Sequence, residues 1–402
     1  MAERSTRRTP PGTWPLLVSG AQLLLLVPAY FLGLVVPPWL AIGGAFLFVA
    51  VAFGALAWSF ATYLRHPKPG ERGVPLAGIP LGVIATVVSA LVLLPAALGS
   101  MPGADAAADV DTDVAEPFVL DADFPDPDVL EVDGLYYAYA TQDGERNVQV
   151  ATSPDLREWT PLAADALPEL PDWAVWGDTW APEVARVGDG FALYFTTSHA
   201  EPRAQCIGVA LSDRPEGPFE PVGDAALVCP VEEGGAIDAA TFHDSAGILH
   251  LLWKNDGNCC GLDTWISIAP LDAQGVALAG EPTRLIQQDR TWEGSLVEAP
   301  TLVEREGRFV LLYSANDYYG LDYAIGYAVA DQLLGPYTKA PEPLLSTDTS
   351  DFAFYGPGGQ DVVGDSIVFH SWNADHTHRG LNVARLDWVE GVPEVELPRP
   401  VD

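Results

Sequence analysis

The chain of 402 residues carries 55 Asp and Glu against 20 Lys and Arg, a formal net charge of −35, and 49% of its residues are hydrophobic. Its length allows one large domain with something added to it. The first hundred residues hold only six basic and two acidic groups, so nearly all the negative charge lies beyond them; this excludes a sequence-independent grip on phosphate backbones, and with it nucleic acid as a partner.

Three apolar stretches, about 16–36, 39–64 and 76–98, contain no Asp, Glu, Lys or Arg. At about 1.5 Å rise per residue, each as a helix can cross a hydrocarbon core roughly 30 Å thick. Residues 1–100 therefore read as a three-span transmembrane anchor in a lipid bilayer. Arg4, Arg7 and Arg8 precede the first span, and Arg65, Lys68 and Arg72 lie between the second and third. Cytoplasmic loops collect such charges, so an odd number of crossings leaves the rest of the chain outside the cell membrane. The Ala/Asp-rich residues 101–117 read as an acidic spacer. The exported part holds Cys206, Cys229, Cys259 and Cys260. An oxidising compartment permits disulfides there, and Cys206–Cys229 is the expected pair, with adjacent Cys259 and Cys260 either bridged or left as thiols.

Residues 118–402 are expected to be all-β. Short alternating or aromatic runs are separated by Gly, Pro, Asp and Asn, as in Val129–Val132, the turn Asp133-Gly134 and Leu135–Ala140. One unit recurs five times: a Pro/Ala head, a strand, a turn, an aromatic strand ending near Ser, Thr or Asn, and a third strand. The heads are Pro125-Asp-Pro-Asp128, Trp180-Ala-Pro-Glu183, Ile237-Asp-Ala-Ala240, Val297-Glu-Ala-Pro300 and Tyr355-Gly-Pro-Gly358. They recur every 55 to 61 residues, counted at Pro127, Pro182, Ala239, Pro300 and Pro357. Five four-stranded units of this length make a β-propeller, because a lone blade cannot bury both its faces and radial stacking does. In a propeller the first strand of each blade lines the central channel. Asp126, Asp238 and Glu298 then become neighbours around one axis.

Hydrolysis of a glycosidic bond needs one carboxylic acid to protonate the leaving oxygen and one carboxylate to activate water or attack the sugar. A third acid can keep the first protonated by like-charge repulsion. Three acids at one opening are sufficient for this chemistry. The competing reading is that Asp residues in such heads merely cap turns.

The ordered motifs Phe124-Pro-Asp-Pro-Asp-Val129, Trp180-Ala-Pro-Glu-Val184, Ile237-Asp-Ala-Ala-Thr-Phe242, Glu298-Ala-Pro-Thr-Leu302 and Gly356-Pro-Gly358 resemble those of glycoside hydrolase family 43 over about residues 118–395. The resemblance implies a five-bladed propeller, an inverting mechanism, and β-xylosidase, α-L-arabinofuranosidase or arabinanase activity. It makes Asp126 the general base, with Asp128 as the competing candidate. Glu298 becomes the general acid, and Asp238 the residue that raises and orients that acid. No organic cofactor is implied. Many members follow the fifth-blade Gly-Pro-Gly with a His that helps hold water or calcium; this chain has Gly359-Gln360, which leaves a calcium site in doubt, and His370 in the second strand is the residue that can compensate, the alternative being a hydrogen-bonded core histidine.

Sugars stack on aromatic rings while polar groups read their hydroxyls. Trp180, Trp253, Trp292, Tyr318, Tyr355 and Trp372 lie near heads or facing loops, and Trp180 and Tyr355, which flank heads, are the expected substrate contacts together with His370. Arg290 and Arg379 are candidate hydroxyl readers. The expected activity is removal of terminal pentosyl units, α-L-arabinofuranosyl or β-D-xylosyl, from a pentose-containing polysaccharide or oligosaccharide. A non-catalytic glycan-binding propeller, a retaining furanosidase or glycosyl-transferring propeller, and a docking head for a membrane assembly are the alternatives.

Overall fold

The structure, a computed structural model, describes residues 117–397. The expected three-span anchor, and the spacer apart from Pro117, lie outside the described residues. Among the described residues no helix is long and apolar enough to cross a membrane.

Five four-stranded antiparallel sheets follow one another along the chain. Blade 1 comprises β1 (Asp128–Val132), β2 (Leu135–Ala140), β3 (Gln149–Ser153) and β4 (Thr160–Pro161). Blade 2 comprises β5 (Trp180–Val187), β6 (Gly190–Ser198), β7 (Gln205–Ser212) and β8 (Glu220–Pro221). Blade 3 comprises β9 (Ala236–His243), β10 (Leu249–Asn255), β11 (Trp265–Pro270) and β12 (Thr283–Gln287). Blade 4 comprises β13 (Val297–Arg305), β14 (Arg308–Ala315), β15 (Ala324–Ala330) and β16 (Thr338–Lys339). Blade 5 comprises β17 (Tyr355–Val363), β18 (Ser366–Trp372), β19 (Arg379–Val389) and β20 (Val392–Glu396). The expected five-bladed propeller is the fold observed.

Successive residues of a strand point to opposite faces of its sheet, so each second strand feeds two cores at once. Leu251 packs into the cluster shared by blades 2 and 3, and Leu252 into the one shared by blades 3 and 4. Leu193 and Tyr194, Leu311 and Leu312, and Val368 and Phe369 divide in the same way. The hydrophobic core is thus five interfaces between blades. Trp253 and Trp292 belong to these cores, which removes them from the candidate sugar contacts.

Every sheet is made of consecutive strands, so no blade joins the two ends of the domain by strand exchange. The ring is closed by the segment before β1. Leu120 bridges Leu381, Phe124 N–H donates to the carbonyl of Arg379 (2.9 Å), and Phe124, Val129, Val368 and Leu381 share one core. The structure bonds Cys206 to Cys229 and Cys259 to Cys260.

The heads share one backbone device. The residue just before each Pro or Ala of the repeat is left-handed: Asp126 (φ 54°), Ala181 (39°), Asp238 (55°), Ala299 (47°) and Gly356 (55°). Pairing register also shifts at the heads of β5, β9, β13 and β17, a bulge that bends the strand and turns its first side chains into the channel. A non-glycine residue held there costs of order 1–3 kcal/mol, so its surroundings must fix it. Hydrogen bonds from the neighbouring blade do so: Ala181 N–H donates to Thr141 Oγ1 (2.9 Å) and Asp238 N–H to Thr196 Oγ1 (3.2 Å), and in the glycine-built fifth head it is Gly359 N–H, three residues on from Gly356, that donates to Ser314 Oγ (2.9 Å). These hydroxyls stand at the ends of the second strands, which explains the Ser or Thr there.

Candidate active site

Asp126, Asp238 and Glu298 come from the heads of blades 1, 3 and 4, the last two β-bulged, and meet in one network at the channel mouth. Asp126 accepts a hydrogen bond from the Thr141 hydroxyl (2.7 Å) and one from Arg379 (3.3 Å), and its backbone N–H donates to His370 Nδ1 (3.0 Å). Burial alone would push the Asp126 carboxyl up, but the Arg379 guanidinium and the Thr141 hydroxyl bring it below the usual carboxylate range. His370 is fully enclosed, and burial followed by the charge of Arg379 pushes it down to about 3. A neutral His370 supplies no charge, so the cation that keeps Asp126 ionised is Arg379.

Glu298 is fixed at both oxygens. Lys254 Nζ donates to Oε2 (2.9 Å) and the Tyr323 hydroxyl to Oε1 (2.8 Å). The Tyr323 ring stacks on His370, with centroids 5.9 Å apart, which ties the Glu298 side of the mouth to the Asp126 side. Burial followed by the charge of Glu298 holds the Tyr323 phenol well above its ordinary range, so it stays a donor. The fifth head makes room for this ring: a Cβ on Gly358 would stand 2.0 Å from Tyr323 Cε1, and one on Gly359 would meet His370 Nδ1 at 2.6 Å.

Asp238 Oδ2 accepts the Ala299 N–H (2.9 Å), and burial together with the charge of Glu298 pushes its carboxyl up to about 8 despite Lys254 nearby. Lys254 is fully buried; burial opposes its charge, but Glu298 and Asp238 outweigh that and raise its pKa. Asp238 therefore holds a proton at neutral pH.

Three further acids lie deeper in the channel. Asp361 Oδ2 accepts Val129 N–H (2.9 Å), Asp128 Oδ2 accepts Val184 N–H (2.9 Å), and Glu183 Oε1 accepts Thr241 N–H (2.8 Å), each reaching the next blade. Asp128 and Glu183 also hydrogen-bond to one another. Burial first, then mutual repulsion, raises Asp128 well above its usual range and Glu183 to about 8; burial raises Asp361 to about 6. Asp128 is thus a strut between blades rather than a turn cap. Asp126, Asp128, Glu183, Asp238 and Asp361 line a cavity of about 40 Å³. That holds water but is far below the roughly 300 Å³ of a small-molecule pocket, so a sugar must bind above it, at the mouth. An open hollow of about 800 Å³, on the opposite face of blade 2, contains none of these acids.

Comparison with known proteins decides the family. The description "Glycosyl hydrolases family 43" matches residues 116–393. The chain belongs to that family. As a member of glycosyl hydrolases family 43 it is a glycoside hydrolase of the inverting type. It is 27% identical over 288 residues to a β-D-galactofuranosidase of Aspergillus niger, covering 66% of this chain and 78% of that protein. It is 25% identical over 286 residues to an extracellular endo-α-(1→5)-L-arabinanase of Bacillus subtilis, covering 67% and 86%. A thermostable family-43 glycoside hydrolase of known structure superposes with a TM-score of 0.61 at 30% identity, covering 69% of this chain and 95% of that one.

Within this family member, calcium can be tested against the donors present. Gln360 is fully used: Nε2 donates to the Ala299 carbonyl (2.6 Å) and Oε1 accepts from Ser314 Oγ (2.9 Å), bracing blade 5 against blade 4. Neutral His370 accepts a backbone N–H at Nδ1, so Nε2 carries the proton as a buried donor without a partner among the described residues. A donor does not ligate a cation. Among the described residues no cluster of three His, Cys, Asp or Glu fits a metal either. The residues do not suit a metal, and no step is derived through one.

The other expected contacts divide. His370, expected to touch substrate, is instead enclosed beneath Asp126 and braces its backbone, because the Tyr323 ring and the Gly359 backbone cover it. Trp180 and Tyr355 head β5 and β17 and are half-buried. Arg379 reaches Asp126, whereas Arg290 sits beside Asp289 and donates to the Lys339 carbonyl in blade 4. Lys254 and Tyr323 were not anticipated. Lys254 had a signal: it occupies the second-strand position that is Thr141, Thr196 and Ser314 in other blades, and there the hydroxyl latch is missing. Tyr323 lies in a loop outside any repeat.

Proposed function

We propose that the protein hydrolyses terminal pentosyl units, α-L-arabinofuranosyl or β-D-xylosyl, with Asp126 as general base and Glu298 as general acid. The observation that carries this reading is the opposite tuning of the two sides of one opening. Asp126 is kept ionised, as a base that draws a proton from water must be, while Asp238, beside Glu298, retains a proton for the leaving oxygen. Asp238 passes its proton to Glu298, which delivers it to the leaving oxygen, while Lys254 and Tyr323 orient the Glu298 carboxyl. Water held in the cavity that Asp126 lines attacks the anomeric carbon on the side away from the leaving oxygen, which inverts that centre. The arabinanase and galactofuranosidase relatives support a glycan substrate, and the arabinanase supports arabinofuranosyl units in particular.

The full chain is tested on aryl α-L-arabinofuranosides, β-D-xylosides and β-D-galactofuranosides, beside Glu298→Gln, with the product anomer read by NMR. Turnover of a pentoside with inverted product, abolished in the variant, is the expected result. Preference for the galactofuranoside overturns the pentosyl assignment. Retained configuration overturns the mechanism, and glycan binding without turnover makes the propeller a lectin. The three apolar stretches support a further part of the reading, that the domain is tethered to the outer side of a membrane; release into the soluble fraction on cell lysis without detergent would overturn it.

A further inference from the structure

An aromatic platform adjoins the mouth on the blade 4 and blade 5 side, and the chemistry above does not use it. Tyr318 and Tyr319, 48% and 60% exposed, lie in the loop after β14. Their loop is fixed from beneath: Trp372 Nε1–H donates to the Tyr318 carbonyl (2.9 Å) and His376 Nε2–H to the Tyr319 carbonyl (2.9 Å). Trp372 and His376 stack on each other with centroids 4.0 Å apart, and Tyr319 meets both edge-on, at 5.4 and 4.7 Å. The Arg379 guanidinium lies 4.9 Å from the Tyr318 ring centre and 3.3 Å from Asp126 Oδ1. One arginine therefore joins this platform to the proposed base.

We propose that Tyr318 and Tyr319 form a second sugar subsite, binding the neutral ring that adjoins the one held over Asp126. Two large aromatic side chains left open to solvent on a fixed loop present the flat apolar surface that the C–H face of a sugar covers. Their backbone is already ordered by Trp372 and His376, so little freedom is lost on binding. Continuity with Asp126 through Arg379 selects the occupant: a ring here belongs to the same glycan as the ring being cleaved. The acidity of the chain selects a neutral ring over a uronic acid. The subsite rests on the hydrolase reading, and it makes the enzyme prefer oligosaccharides to monosaccharide conjugates.

The test compares Tyr319→Ala and Tyr319→Trp with the wild-type full chain on arabinotriose and xylotriose against the matching aryl monoglycosides. The expected result is that Tyr319→Ala lowers the ratio of kcat/KM for the triose to that for the aryl glycoside about tenfold, mainly through KM, and that Tyr319→Trp restores it. An equal effect on both substrates, or none, overturns the subsite. If the wild type cleaves nothing, the hydrolase reading has failed, and the subsite is judged by calorimetric titration of the same trioses. Tighter binding to wild type than to Tyr319→Ala upholds it, and equal or absent binding overturns it.

Discussion

Six carboxyl groups share one channel, in two tiers that the fold treats differently. At the mouth, Asp126, Asp238 and Glu298 face Arg379, Lys254 and Tyr323; below, Asp128, Glu183 and Asp361 meet backbone N–H groups of the next blade. In the upper tier fixed cations set the state of each acid: Arg379 keeps Asp126 ionised, and buried Lys254 holds Glu298 and opposes the rise of Asp238. The lower tier favours the protonated form: its described partners are backbone N–H groups, hydroxyls and other acids, so burial and repulsion raise Asp128 and Glu183 strongly, and burial raises Asp361 to about 6. The same side chain thus serves as a reagent where a cation is fixed beside it and as a hydrogen-bonding strut where none is. Position in the repeat decides which.

The largest effect that bears on this difference is expected from Asp126→Asn. The amide still accepts from Thr141 but cannot take a proton from water, so kcat should fall about 10²–10⁴-fold while the thermal midpoint moves little. A loss below tenfold in steady-state kinetics would take the reagent role away from the upper tier. The pH profile sharpens the same point. Activity should be lost on the acid side only below the usual carboxylate range, where Asp126 gains a proton, and on the alkaline side as pH rises through about 8, where Asp238 loses its proton.

Lys254→Met comes next. It leaves Glu298 without its cation in a site where Lys254 itself is fully buried, and breaking such a pair costs about 3–5 kcal/mol, measurable by chemical denaturation. Because Lys254 lowers Asp238, its loss should also move the alkaline limb of the surviving activity upward. An unmoved limb would mean that the lysine only packs.

What could be read without coordinates follows from how each part is encoded. The heads repeat because every blade must turn a left-handed residue into the channel, and a repeated need leaves a repeated motif; hence the five blades and the three upper acids stood out. Lys254 is encoded as an exception within an apolar run, Leu249–Asn255, visible only once Thr141, Thr196 and Ser314 are recognised as latches. Tyr323 and the Tyr318–Tyr319 platform belong to loops with no period, and their positions depend on Gly358 and on Trp372, residues distant in sequence. Asp128 competes with Asp126 in the sequence because both flank Pro127; the left-handed φ of Asp126 separates them, sending one carboxylate to the mouth and the other to the neighbouring blade.

The smallest effect tests the lower tier alone. Glu183 has an ordinary pKa of 4.5 and is pushed up to about 8 in the folded protein, so the folded state holds a proton that the unfolded chain releases. Its contribution to stability is fully present below about pH 4.5 and is lost as pH rises through about 8. The wild-type thermal midpoint should therefore decline between pH 5 and pH 8. Glu183→Gln keeps an oxygen for Thr241 but has no proton to lose, and its decline should be shallower by a few degrees, about the shift that 1–2 kcal/mol produces in a domain of this size. Asp238, which titrates in the same direction, remains in both proteins, so the slope should be reduced and not abolished. Parallel declines in wild type and variant would show that Glu183 stays ionised, and the distinction between the two tiers would then reduce to the presence of Lys254 and Arg379.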